Sequence, residues 1–142
     1  MSVAFSNFNM LSQDSFMGRE SLTVAASSTI YSKSVGITSL DSTDGVFFTI
    51  NGTRYGTLAA DVQVQVQQAT LSDAPDAAWD NVGAPQSYGT GGTVGTPAST
   101  YMTISIFPSP DESLMPFLRL KFVTQVGAGC TISTLYRSTR GR

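Results

Sequence analysis

The sequence predicts an all-β fold, an antiparallel β-sandwich of jelly-roll-like form with an extended N-terminal arm. The first observation is strict alternation from Val62 to Gln67, where three valines are interleaved with three glutamines. The second is a set of further short runs rich in β-branched and aromatic residues. The third is the Gly, Pro, Asp-Gly and Asn-Gly signals that separate these runs. Seven or eight strands and no long helix are expected, as is typical of a sandwich.

A chain of 142 residues has the length of one domain. We divide it into an N-terminal arm (residues 1–20), a sandwich (residues 21–136) and a basic tail (residues 137–142). The arm carries Phe5, Phe8 and Phe16 among Ser, Asn and Gln. An amphipathic helix over residues 8–17 is the alternative, but Ser and Asn are poor helix formers and favour the arm.

Short strands are expected over residues 22–24, 29–37 and 46–50. Asp44-Gly45 and Asn51-Gly52 supply turn chemistry, because Gly reaches the left-handed conformation without strain. Residues 46–50 and 53–58 are therefore predicted to form a hairpin around Asn51-Gly52.

In the strand over residues 62–68, alternation directs the valines to the core and the glutamines to water or a partner. Residues 69–97 then form the longest predicted irregular stretch, with three prolines and five glycines. Loops of this length are usually functional or disordered. Trp79, the only tryptophan, indicates that part of the loop folds back onto the sandwich edge. The glycines lack P-loop spacing, so no phosphate site is expected.

The C-terminal third is predicted to hold three more strands. Residues 101–107 place Met102, Ile104 and Ile106 on one face. In residues 117–126 the apolar side chains point one way and the two basic side chains the other: Leu118, Leu120 and Phe122 against Arg119 and Lys121. Gly127-Ala128-Gly129 is predicted to turn this strand into a last hairpin partner, residues 130–136.

Charge and cysteine content limit the function classes. The net charge of −2 gives no general case for nucleic-acid binding. Acids dominate residues 41–112 and bases dominate residues 117–142, an asymmetry that can steer association or reflect solvated surface. Cys130 is the only cysteine and is expected to be buried and inert. The first residues lack a basic start and an apolar run, so no signal peptide is expected, and no run approaches the ~20 apolar residues of a membrane span.

The sequence offers little chemistry. It has no histidine, which removes the commonest general base and metal ligand. Asp73, Asp76 and Asp80 share one loop, but their spacing does not match a Ca²⁺ loop, and solvated carboxylates are the better interpretation. We therefore predict no enzyme, no metal and no cofactor.

Two aromatic patterns have competing interpretations. Trp79 and Tyr88 are a candidate sugar-stacking pair, although a tryptophan that pins the loop is the favoured interpretation. Arg119 and Lys121 share a strand with Phe122, but alternation puts the aromatic ring on the other face. That arrangement spoils a nucleic-acid stacking platform and favours a half-exposed strand.

The order of these features resembles one protein family. The matching positions are the early strand, the valine–glutamine strand with its tryptophan, and the FLRLKF strand with the following glycines: Leu22, Thr23, Ala26, Ser28, Val62 to Gln68, Trp79, Phe117 to Phe122, Gly127, Gly129 and Ile132. Over about residues 20–136 the chain is similar to the small capsid cement or decoration proteins of tailed bacteriophages.

The resemblance implies a structural virion protein on the outer surface of a phage head, made in the bacterial cytoplasm. It implies the major capsid protein as partner, self-association as a homo-oligomer, commonly a trimer, and no nucleic-acid or membrane partner. The expected contacts lie in the arm and the tail, with Trp79 and Tyr88 as loop contacts: Phe5, Phe8, Phe16, Arg137, Arg140 and Arg142. The alternatives are a glycan-binding module of a phage tail or fibre and a head–tail connector.

Overall fold

The computed structural model describes residues 14–36, 45–56, 62–89, 93, 95–106 and 115–140. These ranges contain nine strands and one 3-10 helix over Asp76–Ala78. The strands are β1 Asp14–Val24, β2 Thr29–Tyr31, β3 Val35–Gly36, β4 Gly45–Tyr55, β5 Val62–Ala69, β6 Asp80–Ser87, β7 Ala98–Ile106, β8 Phe117–Thr124 and β9 Gly129–Arg140.

The strands form two antiparallel sheets. One has four strands in the order β1-β9-β4-β7, and the other has the order β2-β8-β5-β6 with β3 also paired to β8. Paired strands are nested in sequence: β1 with β9, β2 and β3 with β8, β4 with β7, and β5 with β6. This is one long hairpin rolled into two sheets, which is jelly-roll topology. The predicted all-β sandwich is confirmed.

The core lies between the sheets and follows the predicted alternation. Val62, Val64 and Val66 of β5 are buried, as are Leu118, Leu120 and Phe122 of β8. The four-stranded sheet contributes the inner side chains of β4 and β9, namely Val46, Phe48, Ile50, Cys130 and Ile132. The core faces predicted for the strands that became β5, β7 and β8 are therefore confirmed.

The hairpin predicted around Asn51-Gly52 is wrong, because β4 runs through both residues. The register with β9 shifts between Asn51 and Gly52. A Cβ atom at Gly52 would overlap the carbonyl oxygen of Thr131 on β9. This glycine therefore permits close backbone approach at a bulge, the other common role of glycine in strands.

The predicted hairpin at residues 127–129 is also wrong. A turn does join β8 to β9, with Gly127 at φ 83° and the Ala128 amide donating to Gln125 O at 3.2 Å. The two strands, however, belong to different sheets. Strand alternation carries no information about which strands pair, so a tight turn between sheets resembles a hairpin in the sequence.

Three predicted boundaries differ from the strands. β1 begins at Asp14, inside the predicted arm, and β9 continues to Arg140, inside the predicted tail, where these two residues pair. Part of the predicted irregular stretch is strand β6. β6 is mostly exposed on both faces and contains Pro85, so it has no alternating pattern to recognise.

Candidate interaction surface

The outer face of the five-stranded sheet is organised around Arg119 of β8. Its guanidinium carbon lies 3.8 Å from the ring centroid of Tyr31 and 4.3 Å from that of Trp79. A guanidinium stacks well on aromatic faces, and a desolvated cation–π contact contributes about 2 kcal/mol. Arg119 is only 7% exposed. It was expected on a half-exposed strand, so the prediction of its exposure is wrong.

Hydrogen bonds fix the same guanidinium. Arg119 Nε donates to Gln67 Oε1 at 3.0 Å, and Nη1 donates to Asp76 Oδ1 at 3.1 Å. Asp76 belongs to the 3-10 helix and its side chain is 65% exposed, so water screens this ion pair. The cluster holds the β5–β6 connection against the sheet.

Trp79 completes the attachment of that connection. Its side chain is 6% exposed and its Nε1 donates to Ala74 O at 3.0 Å. The favoured interpretation, a tryptophan that pins the loop, is confirmed by this geometry. Sequence reasoning missed Arg119 and Tyr31 as its partners, because the three residues lie on segments far apart in the chain. The available signal in the sequence was a lone tryptophan together with an arginine between the apolar residues of the FLRLKF strand.

The glutamine face is covered, not open to water or a partner. Gln65 and Gln67 are 6% and 5% exposed. Gln65 Nε2 donates to Val82 O at 3.1 Å and to Gly83 O at 3.0 Å, where the β5–β6 register shifts. The side-chain amide of Gln65 therefore takes the place of backbone hydrogen bonds that the β5–β6 pair lacks at the register shift. The prediction that these glutamines form a contact surface is therefore wrong for Gln65 and Gln67.

Two substitutions separate the parts of the Arg119 cluster. Arg119→Met is expected to lower the free energy of unfolding by about 2–4 kcal/mol, since it removes the cation stacked between the Tyr31 and Trp79 rings and leaves Gln67 Oε1 without its Arg119 donor. Asp76→Asn is expected to cost under about 1 kcal/mol, because the carboxylate is largely exposed. Urea unfolding followed by tryptophan fluorescence measures both. Equal losses would show that the ion pair, and not the stacking, dominates.

Tyr88 is fully buried in the core. Burial raises the pKa of its hydroxyl above the usual range. Arg54 of β4, also fully buried, donates from Nη1 to the carbonyl oxygens of Tyr88 and Gly89 at 2.9 and 2.7 Å. Trp79 and Tyr88 are therefore structural residues, and neither presents a stacking face to solvent. The prediction of a surface contact through this pair is wrong.

The structure brings part of the arm and part of the tail together on neighbouring strands. Phe16 of β1 pairs with Ser138 of β9, and Gly18 pairs with Arg137. Arg140 lies opposite Asp14 on one side and Gly45 on the other. Phe5, Phe8 and Arg142 lie outside the described residues. The contact role of all six predicted residues stays a prediction.

The β5–β6 connection and the first residue of β6 expose three carboxylates and one large apolar side chain. Asp73, Asp76 and Asp80 are exposed, and Leu71 is 61% exposed. No group of three or more potential metal ligands occurs in the described parts of the chain. Of these carboxylates, Asp76 pairs with Arg119 as described above.

The outer face of the four-stranded sheet is a separate surface that sequence reasoning missed. Its side chains on β1, β4, β7 and β9 are mainly hydroxyls and amides, and none of those described is charged: Ser21, Thr23, Phe47, Thr49, Asn51, Thr53, Ser99, Tyr101, Thr103, Ser105 and Thr131. We call this set the hydroxyl face. The signal in the sequence was the Ser and Thr residues that alternate with apolar residues along each strand.

Two depressions lie beside these surfaces. One of about 320 Å³ lies where β1, β4 and β9 meet Pro97, and its lining includes Arg54 and Cys130. The other, of about 210 Å³, lies on the outer face of the five-stranded sheet among Gln63, Asn81 and Lys121. Neither gathers a nucleophile and a base that would indicate a reaction.

Cys130 is 3% exposed, which confirms the predicted buried thiol. Burial raises its pKa to about 12, and the Arg54 charge opposes this in part. At pH 8 we expect the native thiol to react with a disulfide reagent on the order of a thousandfold more slowly than the unfolded thiol, because the thiolate is the nucleophile and its fraction falls with the raised pKa. Fast native reaction would contradict the burial.

The raised thiol pKa also predicts a pH dependence of stability. Below pH 9 both states keep the proton, and stability is unaffected. From about pH 9 to about pH 12 only the unfolded thiol ionises, so the free energy of unfolding falls by on the order of 1 kcal/mol per pH unit. Cys130→Ala should fall less steeply over this range, and identical slopes would refute the assignment.

Comparisons with known proteins add little to this picture. No protein-family model and no curated protein matches the chain. Among solved structures, the enzymatically active domain of tailspike protein 4 from bacteriophage CBA120 aligns with 96% of this chain at 9% identity, with a TM-score of 0.39. The aligned part is 21% of that tailspike chain. The tailspike's activity therefore stays a property of the tailspike. No helix able to span a membrane occurs among the described residues.

Proposed function

We propose that this chain is a structural virion protein, a cement that binds the outside of a phage head and joins neighbouring major capsid proteins. The observation that carries the proposal is the hydroxyl face, a broad sheet surface whose described side chains are uncharged and, except for Phe47, able to hydrogen-bond. Jelly rolls are frequent in viral shells, and the sequence resemblance supports the same class.

The hydroxyl face suits a wet interface. Ser, Thr and Asn side chains can bond a partner directly or through bridging water, and few buried charges have to be desolvated. Binding only to the folded, assembled shell stabilises that shell by mass action, by about 4 kcal/mol when free protein exceeds the dissociation constant a thousandfold.

The arm and the tail supply the proposed second contact. Phe5, Phe8 and Phe16 would dock on a neighbouring subunit, and Arg137, Arg140 and Arg142 would face its acidic groups. A second tethered contact gains from high effective concentration. The homotrimer implied by the resemblance belongs to this proposal and is tested by the mass of the protein in solution.

The test is binding to expanded, undecorated heads of the phage that encodes the chain. Sedimentation with heads gives the bound copies, and the temperature at which heads release DNA gives the stabilisation. Thr131→Asp, on the hydroxyl face, should weaken binding at least tenfold. Thr70→Asp, the same change at the exposed residue that follows β5, should bind as wild type. Absence of wild-type binding, or equal loss in both variants, would contradict the proposal.

The glycan-binding alternative depended on a stacking pair, and both rings are buried. A head–tail connector would instead form rings of defined copy number, which mass measurement detects. No observation on the described surface favours either alternative over the cement.

A further inference from the structure

The two sheets have four edge positions, and three of them are interrupted. β1 shifts register against β9 at two places. The opposite sheet has β2 and β3 at one edge, with three and two residues. At its other edge, β6 contains Pro85 and shifts register against β5. Bulges, prolines and short strands are the devices that keep sheet edges from pairing.

β7 is the exception. Its nine residues, ASTYMTISI, pair with β4 from Arg54 to Val46 without a register shift. The strand contains no proline, glycine or charged residue. Within the described ranges no strand pairs with its other edge. A long, regular and uncharged edge is a template for an added strand.

The outward side chains of β7 also suit a contact. Ser99, Tyr101, Thr103 and Ser105 are exposed, and Tyr101 is 67% exposed. Thr103 Oγ1 donates to Tyr101 Oη at 3.0 Å, which holds the ring along the strand. A pre-positioned tyrosine loses little entropy on binding, and tyrosine is enriched among residues that dominate interfaces.

We propose that β7 pairs antiparallel with β7 of a second copy, so that two four-stranded sheets become one eight-stranded sheet across a two-fold axis. A two-fold axis places the same strand edge of both copies side by side, so a charged residue on that edge would lie close to the identical charge of the second copy. β7 carries none. When the pairing is centred on Met102, Ser99 lies opposite Ser105 and Tyr101 lies opposite Thr103 of the second copy. Two small side chains then face each other, and the tyrosine ring faces a threonine hydroxyl.

This inference is independent of the cement function. A two-fold contact at β7 leaves β1, the other edge of the same sheet, unused. The oligomer in solution should therefore contain an even number of copies. That number is two if β7 makes the only contact, and six if the trimer also forms. Binding to phage heads tests the hydroxyl face, whereas the mass of the protein in solution tests pairing at the β7 edge.

The experiment compares wild type with Thr103→Asp and Thr131→Asp by sedimentation equilibrium across a concentration series. The two variants introduce the same charge on the same face, one on the β7 edge and one on interior strand β9. Wild type and Thr131→Asp should have an even copy number, and Thr103→Asp should have half that mass. Hydrogen exchange should slow for alternate amides of residues 98–106 in wild type and not in Thr103→Asp.

Four results would overturn the proposal. One is a wild-type protein of odd copy number, a monomer included. Another is a Thr103→Asp variant that keeps the wild-type mass. The third is equal loss of mass in Thr131→Asp, which would place the contact on the sheet face. Protection of β7 that arises only when capsid protein is added would assign the edge to that partner instead.

Discussion

Replacement of Gly52 by alanine is expected to prevent stable folding. A Cβ atom at this position would overlap the carbonyl oxygen of Thr131 and crowd the Cα atom of Ile132. The colliding atoms are backbone atoms of β9, the strand that also pairs with β1, so no side chain can turn away to make room. The free energy of unfolding should fall by more than about 4 kcal/mol, a loss reserved for a few disruptive mechanisms.

Gly95→Ala is the matched control, because a Cβ atom there has no neighbour within 4 Å. It should change stability by no more than about 1 kcal/mol, and a small gain is expected from the less flexible unfolded chain. Circular dichroism and urea unfolding of the two variants measure the difference. If Gly52→Ala unfolds at the wild-type urea concentration, the close approach of β4 and β9 is wrong.

Replacement of Trp79 by alanine is expected to cost about 3–5 kcal/mol, the range for truncation of a large buried aromatic side chain. The loss has three sources: packing against the sheet, the stacking on Arg119 and the hydrogen bond to Ala74 O. The β5–β6 connection should also become sensitive to proteolysis, since its attachment is lost.

Two further substitutions separate the contributions to the stability loss expected for Trp79→Ala. Trp79→Phe keeps an aromatic ring but loses the Nε1 donor and part of the buried indole, so a loss of about 1–3 kcal/mol is expected, smaller than in Trp79→Ala. Leu71→Ala lies in the same connection, but Leu71 is 61% exposed, and its change should stay within about 0.5 kcal/mol. Unaltered stability in Trp79→Ala, together with lost glycan binding, would restore the stacking hypothesis.

Alternation predicted the faces of the strands well and their partners poorly. Val62, Val64 and Val66 lie in the core as expected. The period of a strand follows from local backbone geometry, which the sequence carries directly. Pairing is a long-range choice, and so the glycine turn before Cys130 was assigned to a hairpin although β8 and β9 lie in different sheets.

The polar face of the same strand shows a second limit. Gln65 and Gln67 resemble solvent-facing residues, yet the amides bond to β6 and to the Arg119 cluster. Buried polar groups need partners at particular positions, and those partners lie on other segments. Gln67 and Arg119 are 52 residues apart in the chain. No pattern within either strand indicates that they meet.

The sequence by itself determined the fold class, the core face of β5, β7 and β8, the burial of Cys130 and the structural role of Trp79. These follow from side-chain chemistry and strand period, which act locally. Only the tertiary structure decided that the glutamine face is covered, that Gly52 lies where two backbones meet, and that β7 is the uninterrupted edge. Each of these depends on which strands become neighbours, and that choice is made by the packing of the whole chain.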